Sequence, residues 1–122
     1  MASFRSDERI KTRAQFQRIY HDGARVHGRY STVFVLANQL QIGRLGIAAT
    51  KKLGGAVQRN RAKRLIREVF RRNKVAQGFD VVVIPKRELL EASLITLETD
   101  YRSTLARTLR RGRTGTGAAQ SV

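Results

Sequence analysis

The chain has 122 residues, the length of one domain, and its 41% hydrophobic content suffices for one modest core. Its 25 Lys and Arg against 9 Asp and Glu give a formal net charge of +16, so nucleic acid is the leading partner class. The absence of cysteine excludes disulfides and thiolate nucleophiles and fits a reducing cytoplasm. The longest apolar runs, residues 33–37 and 81–84, are far shorter than the roughly 20 residues of a membrane span, so we expect neither insertion nor export.

The first predicted element is a short helix that follows a charged segment. Residues 1–11 are polar and charged, which predicts a flexible basic arm. Thr12 is a suitable cap for a helix over residues 13–20, and Phe16 and Tyr20 lie four residues apart on one stripe of it. Order is therefore expected to begin at Thr12.

Two strands are predicted next. Residues 25–36 are rich in β-branched and aromatic side chains on both alternating faces, which predicts a strand covered on both sides. Residues 44–50 predict a second strand, and its small side chains, Gly46, Ala48 and Thr50, share one face. A face of small residues indicates that either a packed helix or a ligand approaches closely.

Residues 57–72 form the clearest predicted helix. Its apolar side chains recur at helical spacing and are Ala62, Leu65, Ile66, Val69 and Phe70. The opposite side carries Asn60, Arg64, Arg67 and Arg71, flanked by Arg61 and Lys63. One face of this helix is therefore core and the other is a ridge of positive charge.

The remaining elements are a strand and a helix. Residues 81–84 predict a buried strand that ends at the single proline, which completes a strand–helix–strand unit. The last helix opens near Ser93 or Thr96, and its apolar stripe is Leu97, Tyr101, Leu105 and Leu109. We expect one domain over residues 12–111 and a disordered tail over residues 112–122.

Charge is concentrated in residues 51–74, which hold ten basic residues and one acidic residue. A solvated helix face is the ordinary interpretation of such a segment. Exposed faces normally mix both signs, however, whereas this one places like charges side by side, and that arrangement is destabilising unless a partner neutralises it. Arginine also predominates, and its planar fork suits phosphate and base contacts. Both points favour RNA or DNA binding.

The aromatic residues permit two interpretations. Phe16, Tyr20 and Phe34 either pack in the core or line a cleft, together with the small-residue face, in which unpaired nucleotides stack. The sequence does not indicate that the chain is an enzyme by itself, because His21 and His27 lack partners at a catalytic spacing and the acidic residues are scattered. We therefore expect no catalytic residue and no metal site in the chain.

The run from Lys51 to Arg71 resembles the signature of the bacterial ribonuclease P protein subunit. That signature has the form KK-x-G-x-AV-x-RNR-x-KR-x-x-RE-x-F, and the resemblance extends over about residues 11–111. Gly55 replaces the polar residue that most relatives carry after the first glycine, which should loosen this connection. The family resemblance implies an α/β (α+β) two-layer sandwich: an N-terminal helix, a mixed four-stranded sheet, the basic helix in a left-handed crossover, and a C-terminal helix.

The resemblance also implies a function and its sites. In the family an RNA subunit performs the chemistry and holds Mg²⁺, while the protein subunit promotes hydrolysis of the phosphodiester that releases the 5′ leader of precursor tRNA. Positions matching the surface that faces the RNA subunit are Lys51, Lys52, Arg59, Asn60, Arg61, Lys63, Arg64, Arg67 and Arg71. Positions matching the leader-binding cleft are Phe16, Tyr20 and Phe34.

The expected partners are therefore ribonuclease P RNA and precursor tRNA in the cytoplasm, with no membrane and no small-molecule substrate. Two alternatives remain open at this point. A ribosomal or other rRNA-binding protein would share the size and charge, although it would not need a leader cleft. A free-standing nuclease would cleave without any RNA partner.

Overall fold

The structure, a computed structural model, describes residues 8–74 and 76–121, with side chains described as far as Arg110. The elements in chain order are α1 (Arg13–Asp22), β1 (Ala24–His27), β2 (Ser31–Ala37), β3 (Arg44–Ile47), α2 (Ala56–Arg72), β4 (Phe79–Pro85), a 3-10 helix (Arg87–Glu91) and α3 (Leu94–Ser121). These helices and the mixed four-stranded sheet confirm the predicted fold class. Within the described residues, no helix is both long and apolar enough to cross a membrane.

The helix α1 begins at the predicted cap. The Thr12 hydroxyl accepts a hydrogen bond from the Gln15 backbone N–H at 3.1 Å, and the Gln15 side chain accepts one from the Thr12 N–H at 3.0 Å. This reciprocal pair is a capping box, which satisfies two backbone donors that a helix start leaves free. The helix continues two residues beyond the predicted end, to Asp22.

The sheet has the strand order β1-β2-β4-β3. Its β1–β2 and β2–β4 pairs are antiparallel, whereas β3 and β4 are parallel and are joined by α2. Parallel neighbours need a crossover connection, and α2 is that connection. The hand of the crossover stays an expectation from the family resemblance.

The prediction of one strand over residues 25–36 was wrong. The chain reverses at Gly28, whose N–H donates to the carbonyl of Ser31 at 2.8 Å, and β1 pairs with β2 as a hairpin. A β carbon at Gly28 would lie 2.8 Å from the Thr104 hydroxyl, so α3 packs closely on this turn. The residues on both sides of Gly28 have strand-forming composition, so composition alone did not distinguish a hairpin from one long strand.

The main core lies between one sheet face and the helices α2 and α3. Alternate residues of the central strands point toward this side: Val33, Val35, Val81 and Val83. The buried residues of α2 are Ala62, Ile66, Val69 and Phe70, and Leu65 packs against them while partly exposed. The predicted rotation of α2 is thus confirmed. The stripe of α3 is also confirmed, with Leu97, Tyr101 and Leu105 buried and Leu109 packed at its edge.

The second sheet face is covered by α1. A smaller cluster there contains Ile10, Ile19, Phe34 and Val82, against which Phe16 packs. A β carbon at Gly46 would lie 2.7 Å from the Phe16 ring, so glycine makes room for that ring on β3. At Gly46 the predicted small-residue face is therefore approached by α1, which was one of the two open interpretations. The predicted strand over residues 44–50 was too long, because β3 ends at Ile47 and Ala48 and Thr50 lie beyond it.

Residues 8–11, the last part of the predicted N-terminal arm, are anchored to the rest of the chain. Residues 1–7 lie outside the described residues, but Glu8 and Ile10 are only 5% and 6% exposed. The Ile10 N–H donates to the carbonyl of Leu45 at 2.9 Å, and Glu8 forms an ion pair with Lys74. The expectation of a flexible arm through residue 11 was thus wrong for residues 8–11, because these contacts come from residues distant in sequence.

The C-terminal helix α3 extends in its backbone to Ser121, so it overlaps the segment over residues 112–122 that was predicted as a disordered tail. The disorder of that tail stays a prediction. The side chains of residues 111–122 lie outside the described part of the chain, and the domain limits at residues 12 and 111 stay a prediction.

Replacing Gly46 by Ala should destabilise the fold through the Phe16 ring. We expect a loss of about 1–3 kcal/mol in the free energy of unfolding, measured by urea denaturation, because the new methyl group overpacks this face. In a Phe16→Ala background the same substitution should cost less, so a double-mutant cycle should show coupling. Additive losses would contradict the proposed contact.

Candidate nucleic-acid interface

The helix α2 exposes a continuous basic surface, which we call the α2 ridge: Asn60, Arg61, Lys63, Arg64, Arg67 and Arg71. Asn60, Arg61 and Arg64 are exposed, and Lys63, Arg67 and Arg71 are half-buried. The ridge arises because the apolar stripe of the same helix is buried against the sheet. The structure thus brings together on one helix face the residues that the sequence predicted there.

The loop that follows β3 leads directly into α2. Leu53 is buried and anchors this loop, while Lys51 and Lys52 are exposed beside it. Gly54 has φ +145°, a conformation that favours glycine, and the Arg59 guanidinium donates to its carbonyl at 3.5 Å. The two lysines therefore project from the loop immediately before the ridge.

Most charges of the α2 ridge have no partner within the described part of the chain. The side chains of Arg61, Lys63, Arg64 and Arg67 form no hydrogen bond or ion pair there. Arg71 differs, because its guanidinium donates to the Glu68 carboxylate, with an Nε–Oε1 distance of 3.3 Å. The uncompensated charge thus lies over the first three turns of the helix, and a polyanion would relieve its self-repulsion.

The end of α2 is held by a polar network that the sequence did not predict. Asn73 is buried, and its side-chain amide donates to the Val69 carbonyl at 2.8 Å and to Glu98 at 3.0 Å. Arg102 of α3 donates to the Asn73 side-chain oxygen. Glu98 and Arg102 are 25 and 29 residues from Asn73 in sequence, so no local sequence pattern predicts this network. The network fixes the end of α2 relative to α3.

The three predicted cleft aromatics lie together, but they differ in exposure. The Tyr20 ring is 5.0 Å from the Phe34 ring and 6.3 Å from the Phe16 ring, measured between centroids. Phe34 is only 8% exposed and Phe16 packs on Gly46, whereas Tyr20 is 37% exposed. Burial of part of the Tyr20 ring also raises the pKa of its phenol. Of the three rings, Tyr20 therefore has the largest exposed fraction, whereas Phe16 is half-buried and Phe34 is buried.

The α2 ridge and this aromatic group lie on opposite faces of the sheet. The ridge belongs to the helix that covers the Val33 and Val81 side, and Tyr20 belongs to the helix that covers the Phe34 and Val82 side. A partner that touches both surfaces must therefore reach around the sheet. Two distinct RNA contacts are compatible with this arrangement.

The two histidines do not form a catalytic set. His21 contacts Asp22 at 2.7 Å, and both side chains are largely exposed, while His27 contacts the Thr32 hydroxyl at 3.0 Å. Among the residues that the structure describes, no three His, Cys, Asp or Glu side chains are grouped to hold a metal ion. The functional groups that cluster on the described surface are thus guanidinium and ammonium groups.

Comparison with known proteins places the chain in a family. The model of the family described as Ribonuclease P matches residues 4–109. A ribonuclease P protein component of Thermotoga maritima is 43% identical over 91 residues, which cover 73% of this chain and 78% of that relative. The chain belongs to the ribonuclease P protein family. A further relative, from Caldanaerobacter subterraneus, is 35% identical over 102 residues, covering 82% of this chain and 88% of the relative.

Solved ribonuclease P proteins have the same fold. The Thermotoga maritima protein gives a TM-score of 0.74 at 37% identity, covering 82% of this chain and 96% of that chain. The Staphylococcus aureus protein gives 0.72 at 37% identity, covering 81% and 93%. Membership of the family places the chain in ribonuclease P, a tRNA-processing endoribonuclease, and decides against the ribosomal-protein alternative.

The two sides of α2 should respond differently to substitution. Phe70→Ala should lower the free energy of unfolding by about 3–5 kcal/mol, because it leaves a cavity in the main core. Arg64→Gln should change it by less than about 0.5 kcal/mol, since this side chain is exposed. Chemical denaturation of both variants measures the difference, and equal losses would mean that the helix is rotated otherwise.

Proposed function

We propose that this chain binds the RNA subunit of ribonuclease P through the α2 ridge and the adjacent Lys51 and Lys52. The observation that carries the proposal is a set of cations on one helix face, in a chain of this family, that have no partner among the described residues: Arg61, Lys63, Arg64 and Arg67. Arginine binds phosphate oxygens with two parallel hydrogen bonds, and each contact releases counterions from the RNA. Arg59, whose guanidinium reaches the Gly54 carbonyl, extends this surface toward the start of the helix.

In this proposal the RNA subunit performs the chemistry and holds the Mg²⁺ ions, and the protein contributes no catalytic residue. Cations on the ridge neutralise phosphates but do not coordinate a metal ion, because Lys and Arg are donors without a free lone pair. Their contribution is to lower the repulsion between RNA segments that must approach each other. The complex would act in the cytoplasm.

We further propose that the aromatic group binds the single-stranded 5′ leader of precursor tRNA. The exposed Tyr20 ring offers the stacking surface, while Phe16 and Phe34 hold that ring in place from below. Stacking on an aromatic ring tolerates any base, which suits leaders of varied sequence. Leader binding would position the scissile phosphate at the RNA-held metal ions.

Reconstitution tests the proposed function. The full chain is mixed with a bacterial ribonuclease P RNA at low Mg²⁺ concentration, and release of the 5′ leader from precursor tRNA is measured. Cleavage should require the RNA and be stimulated by the protein. Absence of stimulation would overturn the proposal, and cleavage by the protein alone would identify a free-standing nuclease.

Binding to the RNA subunit should depend steeply on salt. For about six phosphate contacts, the logarithm of the association constant should fall against log salt with a slope of magnitude about 4–5. Arg64→Gln or Arg67→Gln should reduce this magnitude by about 1, because each removes one phosphate contact. Arg64→Lys, which keeps the charge, is the matched control, and a slope near zero for the wild type would contradict the electrostatic basis.

Tyr20→Ala should weaken binding of precursor tRNA to the holoenzyme by about 1–3 kcal/mol, the usual contribution of one stacked base. Mature tRNA, which has no leader, should bind as it does to the wild type. Tyr20→Phe keeps the ring and should behave as the wild type in equilibrium binding assays. If both RNAs weaken by the same factor in Tyr20→Ala, the ring does not contact the leader.

A further inference from the structure

Three basic side chains outside α2 and one carboxylate lie beside the β1–β2 turn. Arg29 lies in the turn, Lys86 follows β4, and Arg107 and Asp100 lie on α3. We call these four residues the hairpin cluster. No sequence motif signals them, because they come from three distant parts of the chain.

Specific contacts hold the cations of the hairpin cluster in place. The Lys86 ammonium donates to the Gly28 carbonyl at 2.6 Å, and its backbone N–H donates to the Tyr30 carbonyl at 2.9 Å. The Arg29 guanidinium lies 5.3 Å from the centre of the Tyr30 ring. The Arg107 guanidinium donates to the Thr104 hydroxyl at 3.4 Å. The hairpin turn, the end of β4 and α3 therefore present their charges together.

Asp100 does not neutralise this group. Burial raises the pKa of its carboxyl, whereas the positive charges of Arg107, Arg29 and Lys86 lower it. Geometry brings the cations together, because Gly28 of the turn contacts both the Lys86 ammonium and Thr104, the residue to which Arg107 donates. One carboxylate against three cations leaves a surplus of about two positive charges. Arg29 and Arg107 are exposed, so this surplus faces solvent.

The hairpin cluster and the start of α2 lie at the same end of the sheet. Because β3 and β4 are parallel, their carboxyl ends coincide: β3 leads there toward α2, and β4 leads to Lys86. The antiparallel strand β2 begins at this end, with Ser31 opposite Pro85. Neighbouring strands are about 4.8 Å apart, so only about 10 Å of sheet width separates β3 from β2.

We propose that the hairpin cluster is a second phosphate-binding surface for the RNA subunit, continuing the surface that begins on α2. The inference rests on the proposed function. Exposed arginines suit phosphate oxygens, and the surplus charge is close enough to the α2 ridge for one folded RNA to contact both. A purely structural ion cluster would need no surplus of charge.

Binding of the full chain to ribonuclease P RNA, measured over a range of salt, tests this proposal. The double variant R29Q/R107Q should reduce the magnitude of the salt slope by about 2, one for each lost contact. The matched control R29K/R107K keeps both charges and should retain the wild-type slope. Lys86 is left unchanged because it also supports the hairpin. Wild-type affinity and slope in R29Q/R107Q would overturn the proposal, as would weakening confined to precursor tRNA.

Asp100→Asn should change the affinity for the RNA subunit in the opposite direction. Removing the carboxylate raises the surplus charge, so the variant should bind the RNA subunit more tightly at low salt. A structural role alone predicts a lower melting temperature with no gain in affinity, and that result would count against the proposal. If the wild type itself fails to bind, the proposed function fails. If the wild type and the Arg64 variant behave as expected while the cluster variants do not, only this inference fails.

Discussion

Burial of the apolar stripe of α2 against the sheet is the contact on which the rest of the molecule depends. Ile66, Val69 and Phe70 pack on the same face as the valines of β2 and β4. Because the apolar stripe of α2 faces the sheet, the opposite face of the helix, which carries Arg61 and Arg64, points to solvent. The hydrophobic effect thus sets the direction of the charges, and the packing that stabilises the fold also forms the basic surface that we propose for RNA.

The two faces of the sheet present different surfaces. On the α2 side, packing leaves exposed cations that have no partner within the described residues, and on the α1 side it leaves the Tyr20 ring partly exposed. Phe16 and Phe34 are needed to seat that ring, so their contribution to leader binding would be indirect. An RNA complex that uses both faces would surround the sheet and be sensitive to its geometry.

Within the described residues, three ion pairs join separate segments of the chain, and on the α2 ridge Arg71 is paired with Glu68. Arg44 of β3 forms two 2.7 Å hydrogen bonds with Asp80 of β4, and Glu8 pairs with Lys74 after α2. A chain with only nine acidic residues cannot neutralise its cations. Those that remain unpaired within the described residues are consistent with a family whose members work in ribonuclease P.

The sequence by itself determined the amphipathic helix, the motif from Lys51 to Arg71 and hence the family, because these features depend on residues close together in the chain. Only the tertiary structure decided the reversal at Gly28, the seat of the Phe16 ring on Gly46, and the anchoring of residues 8–11. It also decided that Phe34 is buried while Tyr20 stays partly exposed. The physical reason is that exposure and long-range contacts depend on which elements pack together, and a local pattern of side chains specifies the elements but not their partners.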